Sequence, residues 1–174
     1  TTKAHVAPDE NPLVTGATGD ALEAVRAQAG DVVTVGDPDG DADVSVDYGG
    51  RVNHTESTVS VESDALGIDV EARIPLLGAY QASNAGIALS LVGQIDADLS
   101  ADQLRRGLRK AYWPGRFEVM ERDPMVVLDG AHNPGACETV AETLAEFDYD
   151  DLHLVFGAMH DKDHHRMVAA LPTP

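Results

Sequence analysis

One seven-residue segment, Leu128–Pro134, carries the side chains best suited to bind a ligand. An apolar run ends there in the carboxylate of Asp129, and a glycine turn leads to His132 and Asn133 at a helix start. In open α/β sheets ligands bind at the carboxyl ends of strands, where Asp129 could accept hydrogen bonds from a ribose hydroxyl. His132 and Asn133 could donate hydrogen bonds beside the helix N-terminus, which favours anions. A structural turn, in which Asn133 caps the helix before Pro134, explains the same residues equally well.

Two further polar residues are candidates for a nucleotide site. Arg116 follows the helix-breaking triplet 113–115, and a guanidinium at the edge of a cleft suits a phosphate. The alternative is a surface arginine paired with one of the thirty acidic residues, and the residue alone favours that alternative. Asn84 could bind the edge of a nucleobase through its amide, or could simply be a polar residue at a helix start.

The run His160–His165 contains residue types that bind metals. Adjacent residues on a helix do not converge on one ion, so the pattern favours a solvated helix start with acidic residues at the positive end of the dipole. Cys137, the single cysteine, excludes an internal disulfide, indicates a reducing compartment, and is predicted to pack inside a helix. The chain contains neither the G-x-x-x-x-G-K-[ST] phosphate loop nor the G-x-G-x-x-G fingerprint.

The first part of the chain is predicted to be rich in β-structure. A short helix over 20–29 has Asp20 as its N-cap and Gly30 at its end. Alternating apolar residues and turn residues predict strands at four places, namely 31–35, 44–48, 57–62 and 67–74. Apolar residues then recur every three or four positions up to Ile95, which predicts a helix, and Ser100 caps another.

After the break at Trp113-Pro114-Gly115 the sequence predicts alternating strands and helices. The predicted elements are strands over 117–121, 125–128 and 152–156, and helices over 134–147 and 161–171. The strand over 152–156 is apolar almost throughout, as buried parallel strands are. This alternation predicts an open α/β sheet and a domain boundary at the break.

Composition limits the kind of partner. Thirty acidic residues against twelve basic ones give a net charge of −18, which excludes a role in binding nucleic acid or anionic membranes. Only three cations are lysines and the acid is spread along the chain, a pattern that favours a salt-adapted cytoplasmic protein over an ordinary acidic one. No apolar run approaches the roughly 18 residues of a membrane span. Because the first residue is not Met, we expect the chain to begin inside a longer polypeptide.

Four motifs together resemble the folylpolyglutamate synthase/dihydrofolate synthase family of the Mur ligase superfamily. They are Gly78…Tyr80-Gln81…Asn84-Ala85, then Trp113–Glu118, then Asp129–Pro134, then Phe156–Met159 with Asp161-Lys162-Asp163. The resemblance implies an α/β, Mur-ligase-like fold. Residues 1–112 would be the end of the central ATPase domain, a β-rich part plus helices. Residues 113–116 would be the linker, and residues 117–174 the start of a Rossmann-like C-terminal domain.

The resemblance also implies a function, that of an ATP-dependent ligase. Such an enzyme phosphorylates a carboxylate of dihydropteroate or a folate, and the amine of L-glutamate then attacks the acyl phosphate. Asn84 and Asp129 would contact adenosine, and Arg116 would reach the phosphates. His132 would lie in the cleft between the domains as a candidate catalytic residue. The cofactors would be ATP and Mg²⁺, and the protein would act as a monomer on small molecules.

Some family features are expected outside this chain. The phosphate loop and the magnesium ligands would lie upstream of residue 1, so the chain by itself is predicted to be inactive. If Lys3-Ala4 aligns with the lysine-alanine that precedes the carbamylated lysine of several Mur-type ligases, that position falls on Pro8, which cannot take its role. Either the alignment slips there or this lineage replaces the carbamylated group. Two other functions remain as alternatives. One is a non-catalytic nucleotide- or folate-binding module without a phosphate loop, and the other is a metal-binding protein built on His160–His165.

Overall fold

A five-stranded mixed sheet forms the first part of the fold. A computed structural model describes residues 12–29, 31–95 and 99–172. The strands lie side by side in chain order: β1 (Leu13–Thr15), β2 (Val32–Gly36), β3 (Val44–Arg51), β4 (Ser57–Ser63) and β5 (Ile68–Ile74). The pairs β1–β2 and β2–β3 are parallel, whereas β3–β4 and β4–β5 are antiparallel. The predicted strands of this region are therefore confirmed.

The alternation of side chains along β4 and β5 produces the main hydrophobic core. Val59 pairs with Ala72 and Val61 with Val70, and all four side chains are buried on one face of the sheet. Successive residues of a strand point to opposite faces, so every second residue reaches this core. Burial of these apolar side chains is the main force that stabilises the sheet.

Two helices follow the sheet, and both confirm the predicted helices. Helix α2 (Tyr80–Ile95) packs closely on the sheet because Gly86 has no side chain; a Cβ there would collide with Val46 and Val35. Helix α3 (Ala101–Leu108) begins at Ser100, whose hydroxyl and backbone form a reciprocal capping box with Gln103.

The first helix differs from its prediction at both ends. Helix α1 spans Gly19–Arg26, and its N-cap is Thr18 rather than Asp20, which lies in the first turn. An acidic residue is favourable in either place, because both lie at the positive end of the helix dipole. Gly30 and Pro8, on which other predictions depend, lie outside the described residues.

The second part of the fold is smaller. Strands β6 (Glu118–Arg122) and β7 (Met125–Leu128) pair antiparallel in a two-stranded sheet, and helices α4 (Pro134–Leu144) and α5 (His164–Ala170) follow. Both helices are shorter than predicted. Helix α5 begins after Asp163, which is its N-cap because the Asp163 carboxylate accepts a hydrogen bond from the Arg166 amide.

The prediction of a buried strand over 152–156 is wrong for this structure. The segment has no regular secondary structure, and Val155 is 98% exposed. A parallel strand is stabilised by the strands on either side of it, and within the described residues β6 and β7 pair only with each other. The predicted open parallel sheet is accordingly not formed by this segment.

Three hydrophobic clusters organise the described residues. The largest lies between the five-stranded sheet and its helices. The second joins the two parts of the fold, because Leu77, from the loop after β5, packs with Phe117, Leu144 and Phe147. The third contains Cys137, which is buried as predicted. Among the residues described here, no helix is long and apolar enough to cross a membrane.

Candidate functional site

The linker between the two parts is bonded directly to the loop that follows β7. Gly115 has a φ of +69°, a conformation that glycine adopts without steric cost. Its carbonyl accepts a hydrogen bond from the Gly130 amide at 2.8 Å, and its own amide donates to Oε2 of Glu118 at 2.8 Å. The linker and the loop 129–133 therefore form one structural unit.

Asp129 is the centre of this unit. Its Oδ2 accepts a hydrogen bond from the Phe117 amide and its Oδ1 accepts one from the Ala131 amide, both at 2.7 Å. Phe117 has a φ of +44°, in the left-handed region, which is costly for a residue with a side chain. The bond to Asp129 stabilises that backbone conformation. Each carboxylate oxygen can accept a second hydrogen bond, so Asp129 keeps acceptor capacity for a ligand hydroxyl.

Arg116 lies half-buried beside Asp129 and Tyr80. Burial raises the pKa of Tyr80, the charge of Asp129 raises it further, and the charge of Arg116 lowers it. The Phe117 amide, which follows Arg116 in the chain, donates to Asp129 and so places the Arg116 backbone next to that carboxylate. Neither of the ion pairs found in the described part of the chain involves Arg116, contrary to the alternative of a surface arginine paired with an acid. An unpaired guanidinium keeps its donors available for an anion.

Asn84 lies one helical turn after Gln81, on the exposed side of α2. Its Nδ2 donates a hydrogen bond to Oε1 of Gln81 at 3.0 Å, and Gln81 is itself buried. This bond orients the Asn84 amide and leaves its Oδ1 and one of its N–H groups able to bind a ligand. Gln81 and Tyr80 adjoin the predicted site residues but were not themselves predicted as binding residues. The separation of three residues between Gln81 and Asn84 was the available signal, because such residues share a helix face.

His132 and Asn133 have different positions in the loop. The Nδ1 of His132 lies 3.0 Å from the Gly130 carbonyl, which can only accept, so Nδ1 carries the proton in that bond, and the residue is exposed. The Oδ1 of Asn133 accepts a hydrogen bond from the Ala136 amide at 2.9 Å. Asn133 is therefore the N-cap of α4, with Pro134 in the first turn, as the structural interpretation predicted.

The structure does not bring the residues of His160–His165 together as metal ligands. His164 contacts the Met159 carbonyl through Nε2 at 2.8 Å, and Lys162 pairs with Asp161 at 3.7 Å. Across residues 12–29, 31–95 and 99–172 there is no group of three or more His, Cys, Asp or Glu side chains that could hold a metal ion. The described residues therefore give no support to a metal-binding protein built on this run.

The site as a whole combines donors and acceptors of different kinds. Arg116 supplies a positive charge, Asp129 supplies oxygen acceptors, and Asn84 supplies an amide with both capabilities. This set is suited to a ligand that has an anionic group, a hydroxylated part and a polar ring edge. In a chain of net charge −18, a local cation is also needed to offset the repulsion of an anionic ligand.

Comparison with known proteins identifies similar sequences. The family model described as "Mur ligase, glutamate ligase domain" matches residues 115–173. A probable bifunctional folylpolyglutamate synthase/dihydropteroate synthase of Haloferax volcanii is 67% identical over 173 residues, which are 98% of this chain and 20% of the relative. The chain spans only about a fifth of this relative and of a Halobacterium salinarum relative of the same description, the shares being 20% and 21%.

Two solved structures have a similar fold. An FPGS–AMPPCP–folate complex matches with a TM-score of 0.79 and 28% identity, covering 98% of this chain and 43% of that one. A Mycobacterium tuberculosis folylpolyglutamate synthase complexed with ADP matches with a TM-score of 0.69 and 32% identity, covering 91% of this chain and 35% of that one. Both of these similar proteins bind adenine nucleotides or an analogue of them.

Proposed function

We propose that this chain forms part of an ATP-dependent glutamate ligase. The reason is that it belongs to the folylpolyglutamate synthase/dihydrofolate synthase family of the Mur ligase superfamily. The acceptor would be dihydropteroate, a folate, or both. The observation that carries the proposal is the placement of Arg116, a half-buried cation without an ion-pair partner in the described residues, beside Asp129 at the junction of the two parts.

The proposal divides the chain into parts of two domains. Residues 1–112 belong to the C-terminal part of a central ATP-binding domain, 113–116 are the linker, and 117–174 begin a Rossmann-like glutamate-ligase domain. The separate five-stranded and two-stranded sheets support this division. The match of the glutamate-ligase family model to residues 115–173 supports it as well.

The proposed nucleotide contacts follow from the chemistry of each side chain. The Asn84 amide binds the polar edge of adenine, and the free acceptor capacity of Asp129 binds a ribose hydroxyl. Arg116 binds phosphate oxygens and neutralises the charge that develops on them during phosphoryl transfer. His132 is exposed on the loop that also carries Asp129, and we propose that it contacts the glutamate or the nucleotide. We propose Mg²⁺ as the second cofactor, with its protein ligands outside the described residues, which contain no group of three or more candidate ligands.

The reaction would proceed in two steps. An oxygen of the acceptor carboxylate attacks the γ-phosphorus of ATP, and ADP leaves. The amine of L-glutamate then attacks the acyl carbon, and phosphate leaves with the carboxylate oxygen that it received. Phosphorylation is needed because a free carboxylate is a poor electrophile and has no suitable leaving group.

The acceptor can be narrowed by the names of the relatives. The Haloferax volcanii and Halobacterium salinarum proteins are both named as bifunctional with dihydropteroate synthase. A synthase of that name makes dihydropteroate, which is one of the two proposed acceptors. We extend this to the present chain by proposing that dihydropteroate is among the acceptors of the ligase.

The experiment is a phosphate-release assay on the full-length protein with ATP, L-glutamate and either dihydropteroate or a folate. We expect release that requires all three substrates. Arg116→Gln should lower kcat/KM for ATP by about 100-fold, the usual cost of removing a group that stabilises developing charge. Arg122→Gln is the matched control, because Arg122 is exposed at the end of β6. Nucleotide binding without phosphate release would favour the non-catalytic binding module.

A further inference from the structure

A cluster of long-range contacts attaches the end of α4 to strand β3. The hydroxyl of Tyr48 donates to the Glu146 carboxylate, with distances of 2.9 and 3.1 Å to its two oxygens. The guanidinium of Arg51 donates to the Glu146 carbonyl from Nη2 at 2.7 Å and from Nε at 3.1 Å. The same guanidinium lies 4.2 Å from the ring centroid of Phe147. We call these contacts of Tyr48 and Arg51 with Glu146 and Phe147 the α4 latch.

The α4 latch reaches the candidate site through two buried aromatic rings. Phe147 stacks on Phe117 with 5.5 Å between the ring centroids and an interplanar angle of 28°. Phe117 directly follows Arg116, and its amide is the donor to Asp129. Arg51 is therefore connected by continuous contact to the linker that carries Arg116.

Helix α4 itself contacts the loop that begins helix α2. Burial and the neighbouring Glu146 raise the pKa of Tyr48 to about 12. Tyr48 is thus a neutral donor to Glu146. A Cβ at Gly78 would come within 2.5 Å of Oγ1 of Thr143, so this loop lies directly against α4. The loop leads into the helix that carries Asn84.

Both groups of site residues therefore depend on the same structural support. Asn84 belongs to the part with the five-stranded sheet, whereas Arg116 and Asp129 belong to the linker and the second part. One nucleotide can contact all three only when the two parts keep a fixed relative position. The α4 latch is placed to hold that position, because it contacts the first part directly and the linker through Phe147 and Phe117.

We infer that Arg51 is a positioning residue of the ligase, which holds the end of α4 on β3 so that Asn84, Arg116 and Asp129 reach one nucleotide together. The inference rests on the proposed function for its substrate, although its structural part can be measured without catalysis. Arginine suits this position because its planar guanidinium donates two hydrogen bonds to one carbonyl while one face of the guanidinium lies over an aromatic ring.

The expected kinetic effect is specific to positioning. If Arg51→Met leaves only about a tenth of the free protein with its parts in the competent arrangement, the apparent affinity for ATP falls about tenfold. Saturating ATP restores the arrangement, so kcat should stay within about twofold of the wild type. A purely structural role would instead inactivate a fraction of the molecules, which lowers kcat and leaves the KM for ATP unchanged.

Two further variants keep the comparison controlled. Arg51→Lys retains the charge and one donor but not the planar fork, and we expect the KM for ATP to rise about threefold, between the wild type and Arg51→Met. Arg73→Met removes an exposed arginine of β5 whose side chain makes no hydrogen bond or ion pair in the described part of the chain. Its KM for ATP and its kcat should match the wild type.

The experiment combines phosphate-release kinetics on the full-length protein with amide hydrogen exchange of peptides covering 113–131, with and without AMPPCP. We expect faster exchange of these peptides in Arg51→Met and recovery of slow exchange with AMPPCP. Wild-type exchange in Arg51→Met, an unchanged KM for ATP, or a lowered kcat at unchanged KM would overturn the inference. If the wild type releases no phosphate, the proposed function fails, and the exchange data alone decide whether Arg51 holds the linker. If Arg51→Met does not fold, Arg51→Lys gives the same comparison.

Discussion

Asp129 has a structural role whose size can be worked out from its contacts. The carboxylate accepts the amide hydrogens of Phe117 and Ala131 at 2.7 Å each, and one of these donors is in the left-handed conformation. In Asp129→Ala both amides lose their partner and the bend at Phe117 loses its support. In Asp129→Asn one oxygen remains, but the other position becomes an NH₂ group that faces an amide donor.

The expected destabilisation follows from the strength of hydrogen bonds to charged groups, which contribute about 1.5–3 kcal/mol each. Both bonds are partly exposed, so the lower end applies, and we expect Asp129→Ala to lower the free energy of unfolding by about 3 kcal/mol. Asp129→Asn should cost about half as much, because one of its two bonds survives. With a denaturant slope of about 2 kcal/mol per molar urea, the alanine variant should unfold at about 1.5 M less urea.

The assay is urea denaturation followed by circular dichroism at one fixed salt concentration. Asp69→Ala is the control, because Asp69 is an exposed carboxylate on β5 with no side-chain hydrogen bond in the described part of the chain. We expect that control to stay within about 0.5 kcal/mol of the wild type. Equal midpoints for the Asp129 and Asp69 variants would refute the reasoning and would leave Asp129 with a ligand-binding role alone.

Three other predictions concern packing, pH and salt. Gly86→Ala should lower the free energy of unfolding by about 1–3 kcal/mol, because the added Cβ collides with Val46. Gly107→Ala should raise the free energy of unfolding by about 0.5–1 kcal/mol, because no atom lies within 4 Å of the added Cβ and alanine favours a helix. Thermal melts of both variants measure the two effects. Folding raises the pKa of Tyr48 from 10.0 to about 12, so the neutral Tyr48 stabilises the folded protein fully below pH 10. This contribution to the free energy of unfolding is lost as the pH rises to about 12. Tyr48→Phe should therefore lose less stability than the wild type across that range, and identical alkaline melting curves would contradict this. Potassium chloride should raise the melting temperature by screening the net charge of −18, and a Tm that is flat up to molar salt would count against salt adaptation.

The candidate site could be predicted only in part from the sequence. The four residues predicted for it, Asn84, Arg116, Asp129 and His132, lie on α2, on the linker and on the loop after β7. Electrostatic proximity to Tyr80 joins Arg116 and Asp129, while no described hydrogen bond joins Asn84 to either of them. Which ligand atoms these side chains contact stays a prediction. The two amide donors to Asp129 could not be predicted, because they depend on the backbone bend at Phe117.

The sequence by itself determined the elements whose signals are local. The alternation along 57–74 predicted β4 and β5, and Ser100 predicted the start of α3, because these patterns depend on neighbours within a few residues. The tertiary structure decided two other features. The apolar run 152–156 is not a strand, because a strand needs partners beside it, and Arg51 binds the carbonyl of Glu146 across 95 residues of chain. Local patterns specify which elements can form, whereas the contacts between distant segments decide which of them are stable and what they hold in place.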